Sequence, residues 1–184
     1  IDGFRWDLTK GFTQNCTGSN ACTDSYQQDR VDVLKEYADY SWSVDPTHYT
    51  IIEHLYNDNE EQVWANYRLA ETPSKGVMMW GKMTTAYSQL LMGWNSDDDI
   101  SRIGSNAHVG FQGKRVMGYP ESHDEERVMY KAVTYGNSSN ASHNVKTLTT
   151  ALSRMSALGA ISLLVPGPKM IWHFADLGMN NSIF

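Results

Sequence analysis

The sequence predicts an α/β fold organised on a parallel sheet, and two observations predict it. Strand-like and helix-like runs alternate along the whole chain, and alternation of this kind is met by right-handed βαβ crossovers that lay successive strands side by side. Several strand-like runs also end in carboxylates, at the end of the strand where TIM-type barrels place their active sites. A doubly wound sheet and a TIM-like barrel both fit this order. No glycine-rich phosphate loop follows any strand, which weakens the nucleotide-binding version.

Each element has its own justification. "IDGFRWDL" reads as a strand and is followed by a long polar loop. "QQDRVDVLKEYADYSW" puts Val31, Leu34, Tyr37 or Ala38, and Trp42 at helical spacing. "HYTIIEHL" is a short β-branched and aromatic run, hence a strand. "NDNEEQVWANYRLAE" has an Asp/Asn cap, acids in its first turn, and apolar residues at Val63, Trp64 and Tyr67. "GVMMW" is a short apolar strand, and "TTAYSQLLMGW" a helix closed near Gly93. Past an acidic loop, "KRVMGYPES" reads as a strand ended by its proline. "NVKTLTTALSRMSALGAISLL" is the longest helical pattern, and "GPKMIWHF" finishes as a strand. The expectation is five strands and four helices.

Bulk properties narrow the function. At 184 residues the chain is one domain or a large piece of one. A hydrophobic content of 41% with 20% charged residues argues against disorder. The 15 basic residues against 21 acidic ones give a net charge of −6. No basic cluster offsets it, which argues against nucleic acid or an anionic membrane as partner. No apolar run is long enough to cross a bilayer. Cys16 and Cys22 sit among small polar residues in "NCTGSNACTD". A disulfide there would suit an oxidising compartment; two unpaired thiols or a zinc pair are the alternatives, the last disfavoured because no second Cys or His pair has ligand spacing.

The charges follow the strand period. Gly3, Arg5 and Asp7 share one face of the first strand, with Phe4 and Trp6 on the other. Tyr49, Ile51 and Glu53 line one face of the second strand. "PESHDEER" delivers His123 and Asp124 at the end of the fourth. A lone carboxylate at such a point is commonly a helix cap or a solvated loop residue. Here three carboxylates fall at the corresponding point of their own βα units.

"GFRWDLTKG" resembles the second sequence motif of the α-amylase family, glycoside hydrolase family thirteen. "IIEHL" takes the place of the third motif, "YPESHDEER" is similar to the fourth, and "VPGPKMIWHFADLG" to the eighth strand. The resemblance covers essentially residues 1–184. It implies a partial TIM (β/α)8-type barrel: one catalytic domain fragment with about strands four to eight, lacking the N-terminal strands. By the same mapping Asp7 is the nucleophile, Glu53 the general acid/base and Asp124 the transition-state stabiliser. Arg5, Lys10, His123 and Trp80 are implied as substrate-binding or supporting residues. A retaining mechanism needs two carboxyls roughly 5 Å apart, one ionised and one protonated; Arg5, on the face of Asp7, suits Asp7 to the ionised role.

The implied activity is hydrolysis of α-1,4-glucans such as starch and maltooligosaccharides by a secreted enzyme. The alternatives are a branching or other transglycosylating enzyme and a non-catalytic glucan-binding fragment. The chemistry needs no cofactor, and no metal ligands are assigned; structural calcium is an open expectation, with the Asp97–Asp99 run read as a solvated loop before a calcium loop. The partner is a glucan, together with the missing barrel half or a second copy. Ser122 stands where amylases have Asn, as in branching enzymes; His54 replaces an aromatic, Gly11 a histidine, and the family's first motif is absent. Trp42 and Trp64 suit core packing, whereas Trp80 and Trp172, near strand ends, suit stacking on sugar.

Overall fold

The computed structural model describes residues 1–184. The chain is α/β, with a parallel four-stranded sheet in the order β1-β2-β3-β4: β1 is Gly3–Trp6, β2 Tyr49–Ile52, β3 Met78–Lys82 and β4 Val116–Tyr119. The helices are α1 (Asn20–Thr23), α2 (Gln28–Val44), α3 (Asp58–Ala65), α4 (Thr84–Met92), α5 (Val128–Tyr135) and α6 (Leu148–Leu164). Two compact units divide the chain. One comprises Ile1–Gly81 with Gly104–Met117, the other Lys82–Ile103 with Gly118–Phe184.

In the first unit, helix α2 presents Val31, Leu34, Ala38 and Trp42 as one buried stripe, the four-residue recurrence that aligns side chains along a helix face. The stripe meets Ile52, Trp64, Val77 and Met79 to form the core. Burying Trp64 completely satisfies its indole as well, because Nε1 donates to the Val31 carbonyl at 3.2 Å. The strand register sets Gly3 beside Tyr49, Arg5 beside Ile51 and Ile51 beside Met78. Gly3 is required for this pairing: a Cβ there would lie 2.0 Å from the Tyr49 carbonyl oxygen. The expected cap of α3 is present, as the Asn57 side chain accepts from Asn59 N. That helix is shorter than its pattern suggested, because Asn66 turns out of it and Arg68 takes a left-handed φ of 56°.

The second unit packs Tyr87 and Leu91 of α4 against Val128, Met129 and Ala132 of α5 and against Ala151 and Leu158 of α6. Helix α4 closes at Gly93, whose left-handed φ of 78° is accessible to glycine at little cost. Two expectations need correction here. Helix α5 was not expected; its first N–H, on Val128, is met by the Glu121 carboxylate, so a residue read as the end of the fourth strand supplies the helix start. The expected fifth strand, "GPKMIWHF", is reduced to one parallel bridge between Gly118 and Lys169. Only Gly118 N to Pro168 O (3.2 Å) and Met170 N to Gly118 O (3.0 Å) join them. Pro166 and Pro168 offer no N–H to a ladder, and the chain turns from Trp172 onward.

Candidate active site

In the first unit the ends of β1 and β2 bring Asp7 and Glu53 to a single guanidinium. Glu53 directly follows β2, and its N–H donates to the Trp6 carbonyl at 3.0 Å, continuing the ladder by one step. Beyond Trp6 the chain turns sharply through Leu8, a non-glycine residue with a left-handed φ of 46°. The turn aims the Leu8 N–H at Glu53 Oε2 (3.0 Å) and brings Thr9 N and Thr9 Oγ1 onto the Glu53 carbonyl at 2.9 and 2.8 Å. Arg5 completes the arrangement. Its Nη1 ion-pairs with Asp7, its Nη2 lies 3.1 Å from Glu53 Oε2, and its guanidinium carbon sits 4.6 Å from the Trp80 ring centroid. Arg5 is therefore shared by both carboxylates and does not serve Asp7 alone. The Glu53 side chain is 10% exposed and that of Asp7 69%, so the two differ mainly in access to water.

A buried polar network backs this turn. Arg30, on α2, donates through Nε to Glu60 Oε1 (2.7 Å) and through Nη2 to Glu60 Oε2 (2.5 Å). Its remaining donors reach the carbonyls of Lys10 (2.9 Å), Thr23 (2.7 Å) and Ser25 (2.7 Å). His54 Nε2 is 3.3 Å from Glu60 Oε2, and its Nδ1 is 3.2 Å from Thr9 Oγ1. Burial alone would push Glu60 up, but the hydrogen bonds and charges of Arg30 and His54 outweigh it and hold the carboxyl below its usual range. The path Arg30–Glu60–His54–Thr9 thus ends on the backbone of Glu53. Sequence reasoning missed it, although Arg30 lies one turn before Leu34 on the apolar stripe of α2, a position where a charge must find a buried partner.

The other expected site residues of this unit have different surroundings. Lys10 pairs with Asp24 at 2.8 Å and lies 5.7 Å from the Tyr56 ring centroid, so its ammonium is engaged by the loop and not by Asp7 or Glu53. Trp80 is 7% exposed, with one face covered by Arg5; it is a support for the guanidinium more than an open stacking platform. Cys16 and Cys22 are joined in a disulfide, which settles the three readings of that pair.

The second unit carries His123 and Asp124 in the loop that follows β4. Both side chains are exposed, with His123 Nε2 3.5 Å from Asp124 Oδ1 and the His123 ring 5.9 Å from that of Trp172. Asp124 N donates to Ser122 Oγ at 3.3 Å, and the Ser122 hydroxyl donates to Glu125, which pairs with Lys82 at 3.0 Å. Beneath them Glu121 is almost fully buried. Burial drives its carboxyl upward, against the opposing pull of the Val128 N–H, Arg127 and Lys131.

Two groups bear on metal binding. Asp58, Glu61 and His108 place one ligand atom each within 4.8 Å of one another and are the residues best disposed to hold a cation. Their polar atoms already make protein contacts: His108 Nδ1 to Asp58 Oδ1 at 3.1 Å, Val109 N to Asp58 Oδ2 at 2.8 Å, and Tyr56 N to Glu61 Oε1 at 3.1 Å. In the Asp97–Asp99 run, Asp99 Oδ1 accepts from Ser101 N at 2.8 Å, a turn contact that suits the solvated-loop reading. Comparison of the sequence with models of protein families gave no match, and neither did comparison with curated proteins.

Proposed function

We propose that this chain carries catalytic groups of a retaining glycoside hydrolase of the α-amylase type, acting on α-1,4-glucans. One observation supports the reading above the rest: two carboxylates from the ends of adjacent parallel strands share the Arg5 guanidinium. A retaining glycosidase needs such a carboxyl pair close enough to act on one anomeric carbon from two sides. In this proposal Asp7 attacks the anomeric carbon while the glycosidic C–O bond breaks, and Glu53 gives its proton to the leaving oxygen. Glu53 then takes a proton from water, whose oxygen attacks the anomeric carbon and frees Asp7. For Asp124 and His123, in the second unit, the family resemblance implies support of the distorted, oxocarbenium-like sugar. Arg5 orients both carboxyls, with Trp80 holding Arg5 in place.

The same reading assigns a secreted protein, in keeping with the Cys16–Cys22 bond. It also assigns partner strands to the open edge of β1, the terminal strand of the sheet order, supplied by a longer parent chain or a second copy. The reaction needs no cofactor.

The test is release of reducing ends from soluble starch, with Glu53→Gln as control. A loss of about 10²–10⁴-fold in the control supports general acid/base catalysis by Glu53. New α-1,6 branches in place of reducing ends would move the assignment to a transglycosylase. Starch binding with no turnover above the Glu53→Gln control would leave a glucan-binding fragment.

A further inference from the structure

At the start of β2, away from Glu53, the first unit contains a cavity of about 250 Å³ whose lining includes Trp42, His48, Thr50, Ser74, Lys75 and Arg115. We propose that this cavity is a binding site for the anionic group of a small molecule, a phosphate or carboxylate held by Lys75, Arg115 and Thr50.

The argument rests on charge without a counter-charge. Lys75 is 6% exposed, yet its ammonium donates to the Pro46 carbonyl and lies 5.6 Å from the Trp42 ring centroid, with no carboxylate as its partner. An ammonium has three donors, so two remain for a ligand. Arg115 is half-buried and gives Nε and Nη2 to the Lys75 carbonyl (2.9 and 2.5 Å) and Nη2 to Ser74 Oγ (3.2 Å). Its Nη1 makes no hydrogen bond within the protein. Burial pulls the Arg115 guanidinium down from its usual range, and no acidic neighbour opposes that pull. Two cations withdrawn from water beside one cavity are costly unless an anion is supplied.

A third group points the same way. The Thr50 hydroxyl is buried and has no hydrogen-bond partner, and a buried hydroxyl without a partner is rare enough to need a reason. An oxyanion oxygen would accept from it. Asp45 and Glu71 sense the charge of Lys75 but are committed elsewhere. Asp45 accepts from Thr47 N and Oγ1 at 2.8 and 2.6 Å, and Glu71 from Arg68 at 2.7 and 2.9 Å. His48 Nδ1 is engaged with Ser41 Oγ at 3.1 Å.

The test is calorimetric titration with inorganic phosphate and with acetate at constant ionic strength, using chloride as the reference anion. Saturable one-site binding of either probe is the expected result, weakened about tenfold in Arg115→Gln and several-fold in Thr50→Val, which keeps the side-chain shape. Tighter phosphate binding identifies a phosphorylated ligand, and tighter acetate binding a carboxylate. No saturable binding of either anion overturns the proposal, as does binding unchanged in both variants. Should Arg115→Gln fail to fold, Thr50→Val alone decides. Starch turnover plays no part in the readout, so the outcome is independent of the glycosidase reading.

Discussion

Removing Arg30 is the sharpest perturbation of the scaffold behind Glu53. Arg30→Met deletes two charge-assisted bonds to Glu60 and three bonds to loop carbonyls, all from a side chain with no exposure. Breaking a buried pair from one side costs about 3–5 kcal/mol, since the remaining charge stays desolvated. For a chain of 184 residues that corresponds to a fall in Tm of about 6–20 °C. Because the folded carboxyl of Glu60 is held below its usual range, its contribution is present above the unfolded pKa of about 4.3 and is lost as the pH drops through the folded value. Thermal melts at neutral pH and near pH 3 measure both effects. Arg30→Met should lose most at neutral pH, and Glu60→Gln should flatten the acid limb. In Arg30→Met/Glu60→Leu the loss should be smaller than the sum of the single changes by about 0.5–3 kcal/mol, although the carbonyls of Lys10, Thr23 and Ser25 still lose their donor. Single variants each costing under about 1 kcal/mol at neutral pH would refute the account.

Three further outcomes are expected. Glu121→Gln should reverse part of a pH dependence of the opposite sign: burial raises the folded carboxyl, so the native state loses stability as pH rises from about 4, and denaturant melts of the variant should lose less over that range. Gly3→Ala should destabilise by about 3 kcal/mol or more, because its methyl would meet the Tyr49 backbone at 2.0 Å; a neutral effect in urea titration would contradict the β1–β2 register. Thr9→Val should cost about 1–2 kcal/mol through the lost hydroxyl bonds to Glu53 O and His54, and should lower any starch turnover more than it raises KM, a split that steady-state kinetics resolves.

Much of the fold was legible because periodicity is local. Val31, Leu34, Ala38 and Trp42 announced α2, Gly93 announced the end of α4, and the alternation of Arg5 against Trp6 placed one charge on a face of β1, with Asp7 just past its end. What escaped was set by distant partners. Helix α5 begins where a carboxylate seven residues upstream meets Val128 N, and no windowed pattern registers that bond. The last expected strand had suitable residues but too few donors, with Pro166 and Pro168 in its approach. The support of Glu53 was hidden for a related reason. Arg30, Glu60 and His54 read as ordinary polar residues until the packing of α2 against α3 leaves them no water.

The buried grip of Arg30 on the polar loop is applied at Lys10, Thr23 and Ser25, the two roots of the segment, while its tip from Thr17 to Asn20 faces solvent and is closed by the Cys16–Cys22 bridge. Length and composition can therefore drift at the tip without disturbing what lies underneath, because the roots are pinned independently of the span between them. Natural variants of this protein should concentrate their insertions there and leave the three anchoring carbonyls in place.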